Sequence, residues 1–309
     1  MNDSVRRNTV VQPGIILITG ATGFIGYHVC ERLSRDKIVT YGLSRSAAQA
    51  NLPSGVRPLV ADITHYADLK AALQQVRPTC VIHLAAAGVA TPNLPGEAVT
   101  PVNVYGTEHV LQASLVAGVR RVVYVGTAYE CCGTQHSDVP YVVTKQAARS
   151  VWQTFVAQHA IDSVAVRLYH VFGPRQSARS LIGGAIRAAL HDEVFPMTAG
   201  QQLRDFVYVE DVVEALLAAA TVEGVAGKTY DIGTGVGHPV LAVAQTIFRL
   251  TGSRGQLQPG ALPYRPGESV QMLADPEPAA NDLGWRARIS FEEGLLRTIA
   301  YQREQGDTN

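Results

Sequence analysis

Two residues one helical turn apart, Tyr141 and Lys145 in PYVVTK, are the groups in this chain best spaced to move a proton at an oxygen. A helix sets the lysine ammonium beside the phenol. A neighbouring cation favours the phenolate and lowers the tyrosine pKa toward usable pH. Such a tyrosine gives or takes a proton at a carbonyl or carbinol oxygen. The helix follows an apolar run, RVVYVGT, that ends in Gly126–Thr127, and the threonine hydroxyl is placed to hydrogen-bond the same oxygen. Alone, Tyr-x-x-x-Lys on a helix is commonly just a surface pair. The surrounding elements decide its meaning.

Those elements alternate. IILIT (15–19), KIVTYGL (37–43), RPLVA (57–61), CVIHLA (80–85), RVVYVGT (121–127) and SVAVRLY (163–169) read as buried strands. Between them FIGYHVCERLSRD, ADLKAALQQV and GTEHVLQASLVAG read as amphipathic helices. Strict strand–helix alternation predicts right-handed βαβ units, hence an α/β fold with a doubly wound parallel sheet. Residues 1–13 read as a flexible tail and 14–172 as a dinucleotide-binding Rossmann domain, with 205–234 returning to it through a strand at YDIG (230–233). Beyond Gly173–Pro174 glycine, proline and isolated arginines multiply. Residues 173–204 and 235–309 therefore read as a smaller, mostly helical substrate lobe over the carboxyl edge of the sheet.

The first strand runs into GATGFIG (20–26) and then a helix. Gly20 permits the turn, Gly23 lets the backbone approach a pyrophosphate, and Gly26 lets the helix sit close to the strand. The helix start adds free N–H donors and partial positive charge. Gly20, Thr22, Gly23, Phe24 and Ile25 are accordingly assigned to a dinucleotide. The second strand ends in Ser44–Arg45, where a carboxylate for the adenosine ribose is expected. Serine removes the repulsion of a 2′-phosphate and arginine can pair with it. The expected cofactor is NADP(H) in preference to NAD(H). Asp62 and Ile63 are set at the adenine edge, and Leu84, Ala85 and Ala86 form a small-residue wall beside the cofactor.

With these pieces in order, the sequence resembles the extended short-chain dehydrogenase/reductase family of nucleotide-sugar epimerases, dehydratases and ketoreductases. The likeness rests on GATGFIG (20–26), ADI (61–63), HLAA (83–86), VNVYGT (102–107), GT (126–127), PYVVTK (140–145), RLYHVFGP (167–174), GQQLRDFVYVEDVVEA (200–215), YDIGTG (230–235) and YRPGE (264–268), spread over nearly the whole chain. The resemblance implies a catalytic set of Thr127, Tyr141 and Lys145. It implies that Asn103 and Tyr169 line the cofactor with Tyr141 and Lys145. It also assigns Thr127, His170, Leu181, Arg204 and Arg265 to a nucleoside-diphosphate sugar, the arginines gripping the diphosphate. For each arginine a structural ion pair, with Asp211 or Glu268, is the plain alternative. Homodimerisation through the helices after VNVYGT and PYVVTK is a further family expectation, and Ala113, Ala117, Ala147 and Ala148 offer small faces for it.

The chain departs from the family at three places. His170 stands where asparagine is usual. Ala128 and Tyr129 replace the Asp-Glu pair with which sugar 4,6-dehydratases of the family protonate the leaving hydroxyl and take the C5 proton. Glu130, Cys131 and Cys132 follow; a cysteine there can serve as an acid or base in an unusual elimination or epimerisation, and reads more simply as a small apolar filler of the buried kind. The expected activity is therefore NADPH-dependent reduction of a nucleoside-diphosphate 4-keto-6-deoxy sugar. Its rivals are an epimerase or atypical dehydratase that recycles a retained cofactor, and a non-catalytic NADP-sensing protein.

Composition narrows the partners. Twenty-six basic residues balance 26 acidic ones, so no global field draws in nucleic acid or an anionic membrane. No signal-peptide core or membrane-length apolar run is present in the sequence, and the four cysteines show no metal-type spacing. No metal is expected, and the chain reads as a reduced, cytoplasmic protein.

Overall fold

In the computed structural model, which describes residues 14–45, 52–91, 94–131, 139–265 and 267–306, every apolar run of the first half becomes a strand of one parallel sheet. The strands are β1 (Ile16–Thr19), β2 (Thr40–Ser44), β3 (Arg57–Val60), β4 (Cys80–His83), β5 (Arg121–Thr127) and β6 (Asp162–Leu168). Another, β10 (Thr229–Ile232), returns to pair with β6. The order is β10-β6-β5-β4-β1-β2-β3, and all neighbours run parallel. Both faces are covered, which is why β1 and β5 are buried at every position.

Alternation along the strands divides the core. Ile16, Ile18, Ile82, Val123 and Val164 point to the layer of α1 (Phe24–Arg35) and α7 (Val209–Thr221). Leu17, Val81, Val122 and Tyr124 point to α2 (Tyr66–Val76), α4 (Gly106–Val116) and α5 (Pro140–Gln158). A short α3 (Gly96–Thr100) and a π-helical turn (Pro101–Tyr105) lead into α4. Ala113 and Ala148 are fully buried in this second layer, so two of the four alanines expected to face a partner subunit are instead used by the chain's own core.

The chain leaves β3 and re-enters on the other side of β1 as β4. This reversal of winding opens a crevice at the carboxyl ends of β1 and β4, where open α/β sheets bind ligands.

The later half contains more sheet than its sequence suggests. β9 (Leu203–Tyr208) pairs with β7 (His170–Phe172), β11 (Gly237–Pro239) and β13 (Gln271–Met272), while β8 (Phe195–Met197) pairs with β12 (Leu257–Pro259). Around them pack α6 (Leu181–Leu190), α8 (Val240–Thr251) and α10 (Phe291–Gly306), and α9 (Glu277–Leu283) lies beside β10. Asp205 ties the small sheet together. Its fully buried carboxylate accepts from Thr234 N (2.8 Å), Thr234 Oγ1 (2.7 Å), Gly235 N (2.8 Å) and Ala274 N (3.1 Å).

Candidate active site

The glycine turn after β1 is built for close approach. Gly20 has φ +69°, and a Cβ there would sit 2.9 Å from the backbone of Ala85. A Cβ on Gly26 would collide with the Gly20 carbonyl oxygen at 2.2 Å. Thr22, Phe24 and Ile25 occupy the turn and the opening of α1, whose N-cap Gly23 provides no side-chain cap. The first N–H groups of this 12-residue helix are thus left for a ligand. Ala85 N–H donates to Thr19 Oγ1 (3.1 Å), locking the Leu84–Ala86 wall to the end of β1. At the end of β2 the buried Ser44 Oγ has no hydrogen-bond partner among the described residues, and Arg45 beside it is exposed. An orphaned hydroxyl, an exposed guanidinium and an uncapped helix start fit an adenosine ribose, its phosphate and a pyrophosphate.

Asp62 and Ile63 are more committed than their sequence suggests. Asp62 Oδ1 accepts from Thr64 N (2.9 Å) and Thr64 Oγ1 (2.8 Å), and those bonds with the charge of Arg45 hold its carboxyl below the usual range despite burial. Ile63 is a core residue whose carbonyl faces His109 Nδ1 at 2.9 Å.

Asn103 has a supporting task. It is 1% exposed, exchanges two hydrogen bonds with the backbone of Ala87 (2.8 and 3.0 Å) and donates a third to Thr144 Oγ1 (3.0 Å). One amide therefore joins the loop after β4 to α5. Gly88 completes the join, since a Cβ there would meet Tyr141 at 3.4 Å.

Tyr141 enters from the first turn of α5, after Pro140 at N1. Its hydroxyl and the Thr127 side chain hydrogen-bond each other, so strand end and helix start bring together the expected pair. Lys145, one turn on, is buried; its Nζ donates to Val125 O (2.9 Å) and lies 4.8 Å from the centre of the Tyr124 ring. The helix is pinned by Trp152, which stacks on Tyr124 (5.9 Å) and donates to Ser163 Oγ (2.8 Å).

The expected depression of the Tyr141 pKa is not seen. Burial holds the phenol well above its ordinary range, the Thr127 bond opposes this, and the charges of Glu130 and Tyr129 add to it. Lys145 itself is lowered by burial, an effect that Glu130 counters. Glu130 is the residue that sequence reasoning left without a role. Its buried carboxyl accepts from Tyr124 Oη (3.1 Å) and Thr127 N (3.2 Å).

Cys131 is exposed, not a buried filler. Its Sγ accepts from Arg149 (3.7 Å) and from Arg167, whose Nε also pairs with Asp231 Oδ1 (2.6 Å). Cys132 lies outside the described residues. Tyr169 joins this group by donating to Asp231 Oδ2 (3.3 Å). Cys30 and Cys80 are buried, and burial pushes both thiols up to about 12.

On the lobe side, Tyr129 lies 6.3 Å from the His170 ring, so the two residues after Thr127 are a buried alanine and an aromatic. Burial and the Arg204 charge hold His170 neutral, near a pKa of about 3. Leu181 opens α6 and packs toward the lobe core. Arg204 is 4% exposed and bonds Glu268 Oε1, Leu203 O and Ser269 O, each at 2.9 Å. Arg265 is exposed, and its backbone N–H reaches Glu268 Oε2 at 3.3 Å. No metal-binding cluster occurs among the described residues, and none of their helices is long and apolar enough to cross a membrane.

A parallel sheet with a glycine turn at its switch point and a Thr-Tyr-Lys set at its carboxyl edge defines a dinucleotide-dependent, short-chain-dehydrogenase-like protein. The chain belongs to the NAD dependent epimerase/dehydratase family, whose model matches residues 16–233. It is 28% identical to a UDP-glucose 4-epimerase of Mycolicibacterium smegmatis over 94% of this chain and 98% of that one. It is also 28% identical to a dTDP-D-glucose 4,6-dehydratase of Mus musculus, over 94% of this chain and 88% of the relative. Among solved structures, MoeE5 in complex with UDP-glucose and NAD superposes with a TM-score of 0.84 at 32% identity, covering 94% of this chain and 99% of that one.

Proposed function

We propose that the protein reduces the keto group, at C4, of a nucleoside-diphosphate 4-keto-6-deoxy sugar, with NADPH as the hydride source. The observation that carries this reading is the end of β2. There the orphaned Ser44 hydroxyl and exposed Arg45 suit a 2′-phosphate and offer no carboxylate to a 2′-hydroxyl. Gly20, Thr22, Gly23, Phe24 and Ile25 would hold the pyrophosphate, and the Leu84–Ala86 wall and Tyr169 would flank the nicotinamide end. Bound there, the cofactor would supply hydride to the carbonyl carbon.

The chain's own groups do the rest. Tyr141 holds a proton well into alkaline conditions and is therefore set to donate it to the developing alkoxide. Thr127 orients the same oxygen, and Lys145 would hold the cofactor ribose. Arg265, Arg204 and His170 would meet the diphosphate. Ala128 and Tyr129 leave the usual dehydratase positions without an acid. A homodimer through α4 and α5 belongs to the same reading, which the outward Leu115, Val116 and Val143 favour.

The second reading, a 4-epimerase or atypical dehydratase that retains NAD(P), is favoured by the names of the relatives. The nucleotide released on denaturing the purified protein separates the two. An empty site that takes up NADPH supports reduction, and stoichiometric bound NAD supports recycling.

A further inference from the structure

The least explained feature of the site is a carboxylate buried behind the proton donor. Glu130 follows Thr127 in a 3-10 turn (Ala128–Cys131) that folds its side chain back beneath the strand end. Gly126 makes room for it: a Cβ on that residue would lie 2.5 Å from Glu130 Oε1 and 2.6 Å from Oε2. Once inside, the carboxyl takes the Tyr124 hydroxyl and the Thr127 N–H as donors, at 3.1 and 3.2 Å. Tyr124 comes from β5, and Tyr141, Lys145 and Arg149 face the carboxyl from α5. Lys145 is the only cation among these that is itself buried, and the carbonyl of Val125 already holds its ammonium.

We infer that Glu130 is a positioning residue of the proton-transfer site: its buried carboxylate offsets the Lys145 charge and biases Tyr141 toward donating a proton. Opposite charges enclosed in one low-dielectric pocket act strongly on a third group beside them. Burial already disfavours the Tyr141 phenolate. Burial raises the Glu130 carboxyl pKa and the Lys145 charge opposes this; once ionised, Glu130 offsets Lys145 and disfavours the phenolate further. The directions agree, since Glu130 raises the Tyr141 pKa and also opposes the lowering of Lys145. This inference rests on the proposed role of Tyr141 as the donor in keto reduction. Its test reads the phenol directly, without substrate, so the two ideas can fail separately.

The experiment is a pH titration of the full chain labelled with 13C at tyrosine Cζ, without added cofactor, with Tyr141→Phe identifying the signal. Wild-type Tyr141 should stay protonated beyond the ordinary tyrosine value of about 10. Glu130→Gln keeps an acceptor for Tyr124 and Thr127 while removing the charge, and should lower the Tyr141 midpoint by about one pH unit or more. Glu130→Val should shift it in the same direction, so either folded variant decides the matter. A wild-type midpoint below about 9, or variants that titrate with the wild type, would overturn the inference. The latter result would leave Glu130 as a hydrogen-bonding strut.

Discussion

Arg204 and Glu268 form a buried ion pair: Nη2 lies 2.9 Å from Oε1, with side-chain exposures of 5% and 17%. The same guanidinium holds Ser269 O, so one residue of β9 anchors the segment that carries Arg265. Removing one partner of a fully buried pair costs about 3–5 kcal/mol; the cost here is smaller, because Glu268 keeps Gln202 Nε2 (3.2 Å) and the Arg265 N–H (3.3 Å) as donors. Arg204→Ala should therefore lower the melting temperature as well as weaken sugar-nucleotide binding. Arg265→Ala, at an exposed position, should raise KM and leave the melt within a degree or two of wild type, as surface changes of about 0.5 kcal/mol do. Thermal unfolding and steady-state kinetics of both variants check this. An Arg204→Ala protein that melts like the wild type would show that the pair contributes no stability.

Much of this was legible in the sequence. RVVYVGT became β5 residue for residue, because a strand buried on both faces is a continuous apolar run. The glycine turn and Tyr141–Lys145 were legible for a similar reason, since their spacing is local. The smaller sheets were not. β13 has two residues and β7 and β11 have three each, too short to show any period, and their pairing with β9 is set by contacts far apart in sequence. Glu130 was equally hidden. Nothing in its sequence neighbourhood assigns it a place, and only the missing Cβ of Gly126 beside it hints at an inward turn.

Tyr141→Phe retains the ring and deletes the proposed donor. General acid catalysis typically contributes two to four decades, so turnover should fall by roughly 10²–10⁴ while cofactor binding persists. Thr127→Val should cost less, because the donor remains. Cofactor titration alongside single-turnover reduction separates the two losses. A Tyr141→Phe enzyme with normal turnover would place the proton elsewhere.

Arg45→Ala should weaken NADPH by roughly one to two decades, the worth of one charge-assisted contact, and leave NADH nearly unchanged. Binding isotherms for both nucleotides test it. Equal losses would mean that Arg45 does not meet a 2′-phosphate.

Acid should destabilise the fold through His83. Its Nδ1 lies 2.8 Å from Thr19 Oγ1 and its Nε2 3.0 Å from Thr107 Oγ1, while the Thr107 hydroxyl donates to Asn103 O (2.7 Å). Thr107 must then accept from Nε2–H, and Thr19 must donate to a bare Nδ1. Burial, aided by Lys145, depresses the pKa to about 3, against about 6.5 in the unfolded chain. The unfolded state thus binds the proton first. This contribution is complete above pH 6.5 and is lost as pH falls toward 3, at about 1.4 kcal/mol per pH unit. Urea midpoints at pH 7 and pH 5 should differ less in His83→Gln than in the wild type. An unchanged difference would assign the acid sensitivity to other groups, such as His170.

Net reduction by a dissociable NADPH is read most directly by mixing the purified protein with NADPH and a nucleoside-diphosphate 4-keto-6-deoxyhexose, then following absorbance and product together. One NADPH should be oxidised for each keto sugar reduced, with no turnover when NADPH is withheld. Interconversion of UDP-glucose and its C4 epimer without added cofactor, together with no consumption of NADPH, would contradict it.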